Sequence, residues 1–136
     1  MSVSNDPIVF ISHSRVKPGK NDALRDFLRD GIAALQAGKP RTCAFLAYLD
    51  DEATTLTIVH VFGDAESMAA HIEGADERST AVSEFIETTA IDIYGAPTEP
   101  ILVAMRQISG SGVALQVRPD YLGGFLRLTG TDPVRG

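Results

Sequence analysis

The stretch Thr57 to Gly74, TIVHVFGDAESMAAHIEG, carries two of the chain's three histidines, His60 and His71, with Phe62 between them. A neutral imidazole, whose ordinary pKa is about 6.5, accepts a proton from an acidic hydroxyl at physiological pH. Two such groups beside an aromatic wall could serve as general bases in an apolar site. The same residues have a plainer reading, in which each ring is hydrogen-bonded to backbone and packed as core. Other chemistries find less in the sequence. His13, His60 and His71 lie on three separate elements and lack zinc spacing, so no metal site is expected. Asp50-Asp51-Glu52 reads as a hairpin turn; a calcium loop needs ligands alternating over about twelve residues. Cys43 has no basic neighbour in sequence and reads as an inert core thiol. Gly123-Gly124 lacks the context of a phosphate loop, and Ser109-Gly110-Ser111-Gly112 is a linker, not a nucleophile elbow.

The elements that must hold these residues follow from patterning. Ile8 to Val16 is β-rich and ends at Lys17-Pro18-Gly19-Lys20. Leu24, Phe27, Leu28, Ile32 and Leu35 form an amphipathic stripe, so a helix starts at Gly19 or Asn21 and ends at Gly38-Pro40. Thr42 to Leu49 and Thr54 to Phe62 read as a hairpin joined by the acidic turn at 50–53. Asp64 is a suitable N-cap for a short helix over Ala65 to Ile72. A further helix capped by Asp76 would bury Ala81, Val82, Phe85, Ile86 and Thr89, and Ala90 to Tyr94 would be the fourth strand. Thr98 with Pro100 in the first turn predicts a helix to about Ile108. A short strand follows at Val113 to Val117. The tail holds Tyr121, Leu122, Phe125 and Leu126, apolar enough to pack on the domain or on a partner chain. Residues from Gly130 onward are expected to be loose.

Composition sets the outer limits. The chain has 136 residues, 44% of them hydrophobic and 22% charged, which fits one domain with its own core. A net charge of −6 argues against nucleic acid and against anionic membranes as partners. The lone cysteine excludes an internal disulfide framework. No secretory leader and no spanning apolar run are seen, so a soluble cytoplasmic protein is expected.

The order β-α-β-β-α-α-β, followed by an α-β extension, predicts a ferredoxin-like α+β fold: a split βαβ antiparallel sheet with helices on one face. The other face then needs cover, and a second copy of the sheet would supply it, which predicts a homodimer through the sheet face. Strand alternation places Leu56, Ile58, His60 and Phe62 on one face of the third strand. If Phe62 faces the helices, Phe10, Ser12 and Ser14 join it, while His13 and Arg15 face the other way. His71, beside Ile72 and three residues after Met68, would lean over the same cavity, and Tyr48 could add a phenolic hydroxyl.

Four pieces give the chain a family likeness: RVKPGKNDALRDFL at Arg15 to Leu28, the hairpin after the first helix, HVFGDAESMAAHIEG, and AIDIYG at Ala90 to Gly95. Together they resemble the antibiotic biosynthesis monooxygenases, a branch of the dimeric α+β barrel proteins. The resemblance covers residues 8–95 of a single domain over 1–136, with the extension at 98–129. It implies a dimeric α+β barrel and a monooxygenase that oxidises quinol-like or phenolic aromatics with neither metal nor flavin as cofactor. His71 and His60 would then be the catalytic bases, and Ser12, Ser14, Tyr48, Phe62 and Met68 would contact the small aromatic substrate. The deprotonated ring would pass an electron directly to O₂. Some relatives degrade haem. Where relatives carry a Trp this chain has Phe62, which loses the indole donor. Where haem-degrading relatives carry an Asn it has Ser12, so haem degradation retains the fewest of its groups. A non-catalytic dimer that binds a small apolar ligand is the alternative.

Overall fold

The computed structural model describes residues 5–109 and 112–127. Among these, five strands and four helices follow one another as β1 (Ile8–Val16), α1 (Asn21–Gly38), β2 (Thr42–Leu49), β3 (Thr55–Phe62), α2 (Ala65–Ile72), α3 (Ala75–Val82), β4 (Ile86–Tyr94), α4 (Glu99–Ser109) and β5 (Ala114–Arg118). The strands lie in the order β2-β3-β1-β4-β5. The first four are antiparallel neighbours, and β5 adds to β4 in parallel, as a strand returning through a crossover helix must. This is the expected ferredoxin-like α+β fold with its C-terminal α-β extension. The described residues contain no helix long and apolar enough to cross a membrane.

Register sorts the side chains into two faces. Ile8, Phe10, Ser12 and Ser14 on β1 pair with Phe62, His60, Ile58 and Leu56 on β3, and Phe45, Ala47 and Leu49 of β2 continue the same face. The core draws its strand residues from this face. Ile8, Phe10, Phe62, Ile91 and Ile93 pack with Ala65 and Met68 of α2 and Met105 of α4. Val16, Leu56 and Ile86 pack with Leu24 of α1 and Phe85. The Phe27 and Phe85 rings, 4.9 Å apart, hold the first half of α1 to the sheet. Farther along, Leu28, Ile32 and Leu35 are only half-buried, so the second half of α1 stands off the edge strand β2.

The opposite face carries Val9, Ile11, Val59 and Val61, half-buried, with Leu46, Tyr48 and Tyr94 exposed. His13 lies on it as well, 3.0 Å from Asp92 and 3.5 Å from the Thr57 hydroxyl. Gly95 closes β4 at φ +117°, where a Cβ would come within 2.9 Å of Ile8 and 3.0 Å of the Pro7 carbonyl; only glycine fits there.

Two expectations are corrected and a third is narrowed. The helix expected behind an Asp76 cap runs Ala75–Val82 with Gly74, in the left-handed conformation, at its N-cap and Asp76 inside the first turn, and it leaves Phe85 and Ile86 to the turn and to β4. Ile86 pairs with Val16 on β1, so long-range pairing of a β-branched segment prevails over its helical spacing. Cys43 is exposed, not core. A bulge between Thr42 and Ala44 puts Thr42 opposite Phe62 and turns Cys43 outward on an edge strand. Of the two packings expected for the tail, on its own domain or on a partner chain, the first is not taken by Leu122 and Phe125, which are 100% and 77% exposed beyond the edge strand β5. The expected looseness from Gly130, and the linker residues Gly110 and Ser111, lie outside the described residues.

Candidate functional site

The two histidines meet inside the helix-covered side of the sheet. His60 comes from the middle of β3, and His71 from the last turn of α2, which starts on a formed cap: the Asp64 carboxylate accepts from the Ser67 N–H at 2.8 Å. The ring centroids lie 5.3 Å apart, edge to face. Three phenyl rings enclose them. Phe10 stacks on His60 at 4.6 Å, Phe45 meets it edge-on at 4.9 Å, and Phe62 lies 5.2 Å from His71. Both histidines are buried, 6% and 3% exposed.

Each ring has a committed Nδ1. The His60 Nδ1–H donates to the Phe10 carbonyl at 2.9 Å. A carbonyl only accepts, so the tautomer is fixed and the basic lone pair of His60 sits on Nε2. His71 Nδ1 lies 2.7 Å from the Thr42 hydroxyl, which can donate or accept. Burial lowers the pKa of His60 to about 4, opposed by its bond to Phe10 and reinforced by Arg78. Burial also lowers that of His71 to about 3, with His60, Arg78 and Lys39 adding to it. Both are therefore neutral at pH 7.

Those two cations have a structural task of their own. The α2 carbonyls left unpaired at its C-terminus are taken by Lys39, whose Nζ donates to Ala70 O at 2.9 Å and Glu73 O at 3.0 Å. Arg78 donates to His71 O and, at 3.0 Å, to Glu73 O. Positive charge at a helix C-terminus is favourable, and here it also stands beside the imidazoles.

Of the residues expected to contact a substrate, Phe62 and Met68 are fully buried in the core beside the pair. Ser12 and Ser14 share the face, but Ser14 lies farther along β1, its hydroxyl 3.4 Å from Thr88. Tyr48 alternates onto the opposite face, 56% exposed, and is not brought to His71. Thr42, Phe45, Lys39 and Arg78 were not singled out from sequence. Phe45 could have been found by counting back from the hairpin turn, which sets it opposite His60. Thr42 could not, because the bulge that places it carries no clear sequence signal. Outward of the pair, a pocket of about 320 Å³ lies between α1 and β2, lined by Ile32, Leu35, Lys39, Thr42 and Phe45 among others. Thr42 and Phe45 are thus the shared wall between that pocket and the histidines. The described residues contain no group of three or more His, Cys, Asp or Glu placed to hold a metal ion.

A split βαβ sheet with its helices on one face is an α+β fold of the ferredoxin-like type, the fold of antibiotic biosynthesis monooxygenase-like proteins. Solved structures carry that likeness. MupZ from Pseudomonas fluorescens matches with a TM-score of 0.69 at 12% identity, over 90% of this chain and 96% of its own. A conserved protein from Methanosarcina mazei Go1 matches at 0.57 and 23% identity, over 66% and 92% of the two chains. A candidate antibiotic biosynthesis monooxygenase from Caulobacter crescentus CB15 matches at 0.57 and 12% identity, over 67% and 90%. The MupZ match is too long to lie within the first 95 residues, so it takes in part of the α4–β5 extension. No family model matches the chain, and no curated protein sequence matches it.

Proposed function

We propose that this protein is a cofactor-independent monooxygenase of the antibiotic biosynthesis monooxygenase type, acting on a small phenolic aromatic as a homodimer. The observation that carries the reading is the neutral His60–His71 pair inside a phenyl cage, one wall away from an open pocket. A ring entering past Thr42 and Phe45 would set its hydroxyl against an imidazole Nε2. The imidazole accepts the proton, the ring becomes an electron-rich phenolate, and the imidazolium so formed pairs with it. Burial first, then His60, Arg78 and Lys39, hold the His71 pKa at about 3, so the proton moves only as the phenolate forms beside the ring and pairs with the imidazolium. The phenolate then reduces O₂ by one electron and the two radicals combine at a ring carbon. Loss of water from the resulting peroxide leaves a quinone. For 1-naphthol the sum is naphthol plus O₂ giving naphthoquinone plus water: one oxygen atom enters the ring and the other leaves as water. The phenyl cage excludes bulk water from the charged intermediate. The apolar second face of the sheet supports the dimer.

Oxygen uptake with 1-naphthol and a hydroquinone series tests this. His71→Ala, with His71→Gln as the variant that better preserves packing, is expected to slow turnover by about 10²–10⁴-fold. Rates equal to wild type would remove His71 from the mechanism. A second reading, a non-catalytic binder of a small apolar ligand, is favoured by one observation: neither histidine lines either of the two grooves beside α1. Saturable quenching or chemical-shift changes without oxygen consumption would select it.

A further inference from the structure

The larger groove beside α1 has a character of its own. It measures about 520 Å³, within the range of sites that hold one small organic ligand. Its floor is apolar: Leu28 and Ile32 from α1, Leu49 and Leu56 from the sheet. Its rim is cationic. Arg25 and Arg29 stand one helical turn apart, on the same side of α1 as Leu28 and Ile32. This is unusual for a chain of net charge −6.

Neither arginine is used up by the fold. Arg29 has a helix-surface pair with Asp26 at 3.2 Å, both side chains 72% exposed, a type of pair that contributes little. Arg25 makes no ion pair among the described residues. The carboxylate that lines the groove, Asp50, is held by the hairpin turn. Its oxygens accept from the backbone N–H groups of Thr54 and Thr55 at 2.7 and 3.0 Å and from the Thr54 hydroxyl at 2.7 Å. Those bonds lower its pKa, so it stays anionic, and they tie it to the hairpin turn; it makes no ion pair with Arg25 or Arg29, and the two arginines outnumber it along the groove.

We propose that this groove binds an amphiphilic organic acid. Its apolar body, an aryl ring or a short alkyl chain, lies on Leu28, Ile32, Leu49 and Leu56. Its carboxylate meets the guanidinium groups of Arg25 and Arg29, whose planar forks match a carboxylate's two oxygens. The inference uses neither histidine and stands apart from the oxygenase reading.

Calorimetric titration of the full chain with 2-naphthoate and its methyl ester tests it. The acid is expected to bind about three- to tenfold more tightly than the ester, the gain of two solvent-screened guanidinium contacts. Both arginines are exposed, so Arg25→Gln/Arg29→Gln is expected to fold normally, to bring the acid down to the ester's affinity and to leave the ester unchanged. Methyl shifts on acid binding are expected at Leu28, Ile32, Leu49 and Leu56. Any of four results overturns the proposal: no binding of the acid at millimolar concentration, equal affinity for acid and ester, unchanged acid affinity in the double variant, or shifts confined to the pocket beside Thr42. Oxygen uptake does not enter this test, so its failure and that of the oxygenase reading are distinguishable.

Discussion

At the residue scale, what distinguishes His60 and His71 is their charge state. Two imidazoles with centroids 5.3 Å apart in an apolar cage cannot both be protonated without strong repulsion and desolvation. Their pKa values, about 4 and about 3, lie below the ordinary 6.5. The unfolded chain therefore binds more protons than the folded one between those limits. The sign follows: stability is held in full above pH 6.5 and is lost as pH falls through the window toward 4. Each group steepens that fall by up to about 1.4 kcal/mol per pH unit. Urea unfolding followed from pH 7 to 4.5 is expected to show the loss, and His60→Leu to flatten it. A two-dimensional NMR titration gives the direct check. His60 or His71 resonances that titrate near 6.5 in the folded protein would sink this account.

At the element scale, α2 is held at both ends, and its far end links the fold to the site. Lys39, at the end of α1, and Arg78, on α3, converge on the α2 carbonyls next to His71. Arg78→Met is expected to destabilise the fold by about 1–2 kcal/mol, from lost charge-assisted bonds to a helix terminus. It is also expected to raise the pKa of both histidines, because the Arg78 charge lowers each. Chemical denaturation reads the first effect and NMR titration the second. A stability loss with unmoved imidazole pKa values would separate the clamp from the site. Much of this scale was legible in the sequence. The β1 alternation, the α1 stripe and the Asp64 cap are local patterns, and each element sits where its pattern puts it. The α3–β4 border was not legible, since Phe85 and Ile86 satisfy a helical stripe and a strand equally well until β1 is beside them. Thr42 reaching His71 depends on a bulge, and the Lys39–Arg78 clamp on two side chains 39 positions apart in sequence meeting one helix end. These are products of tertiary packing, to which short-range spacing is blind.

At the scale of the whole molecule, two apolar surfaces are candidates for the contact in the proposed homodimer. One is the second face of the sheet, where Ile11 and Val59 sit opposite each other on adjacent strands, amid Val9, Val61 and Leu46. The other is the extended tail with Leu122 and Phe125 in the open. Sheet-to-sheet packing buries a continuous face and suits a two-fold interface, in which the same patch serves both partners. A tail contact would need only the arm. The two make opposite demands on two variants. Under the sheet reading Val59→Glu places an uncompensated charge within the interface and yields monomers, while a chain ending at Asp120 still dimerises. Under the tail reading the outcomes reverse. Light scattering after size exclusion is expected to give a dimer for the wild-type and truncated chains and a monomer for Val59→Glu. The melting temperature of the first two is expected to rise with protein concentration and that of the third to stay constant, as mass action requires of a stability shared between copies.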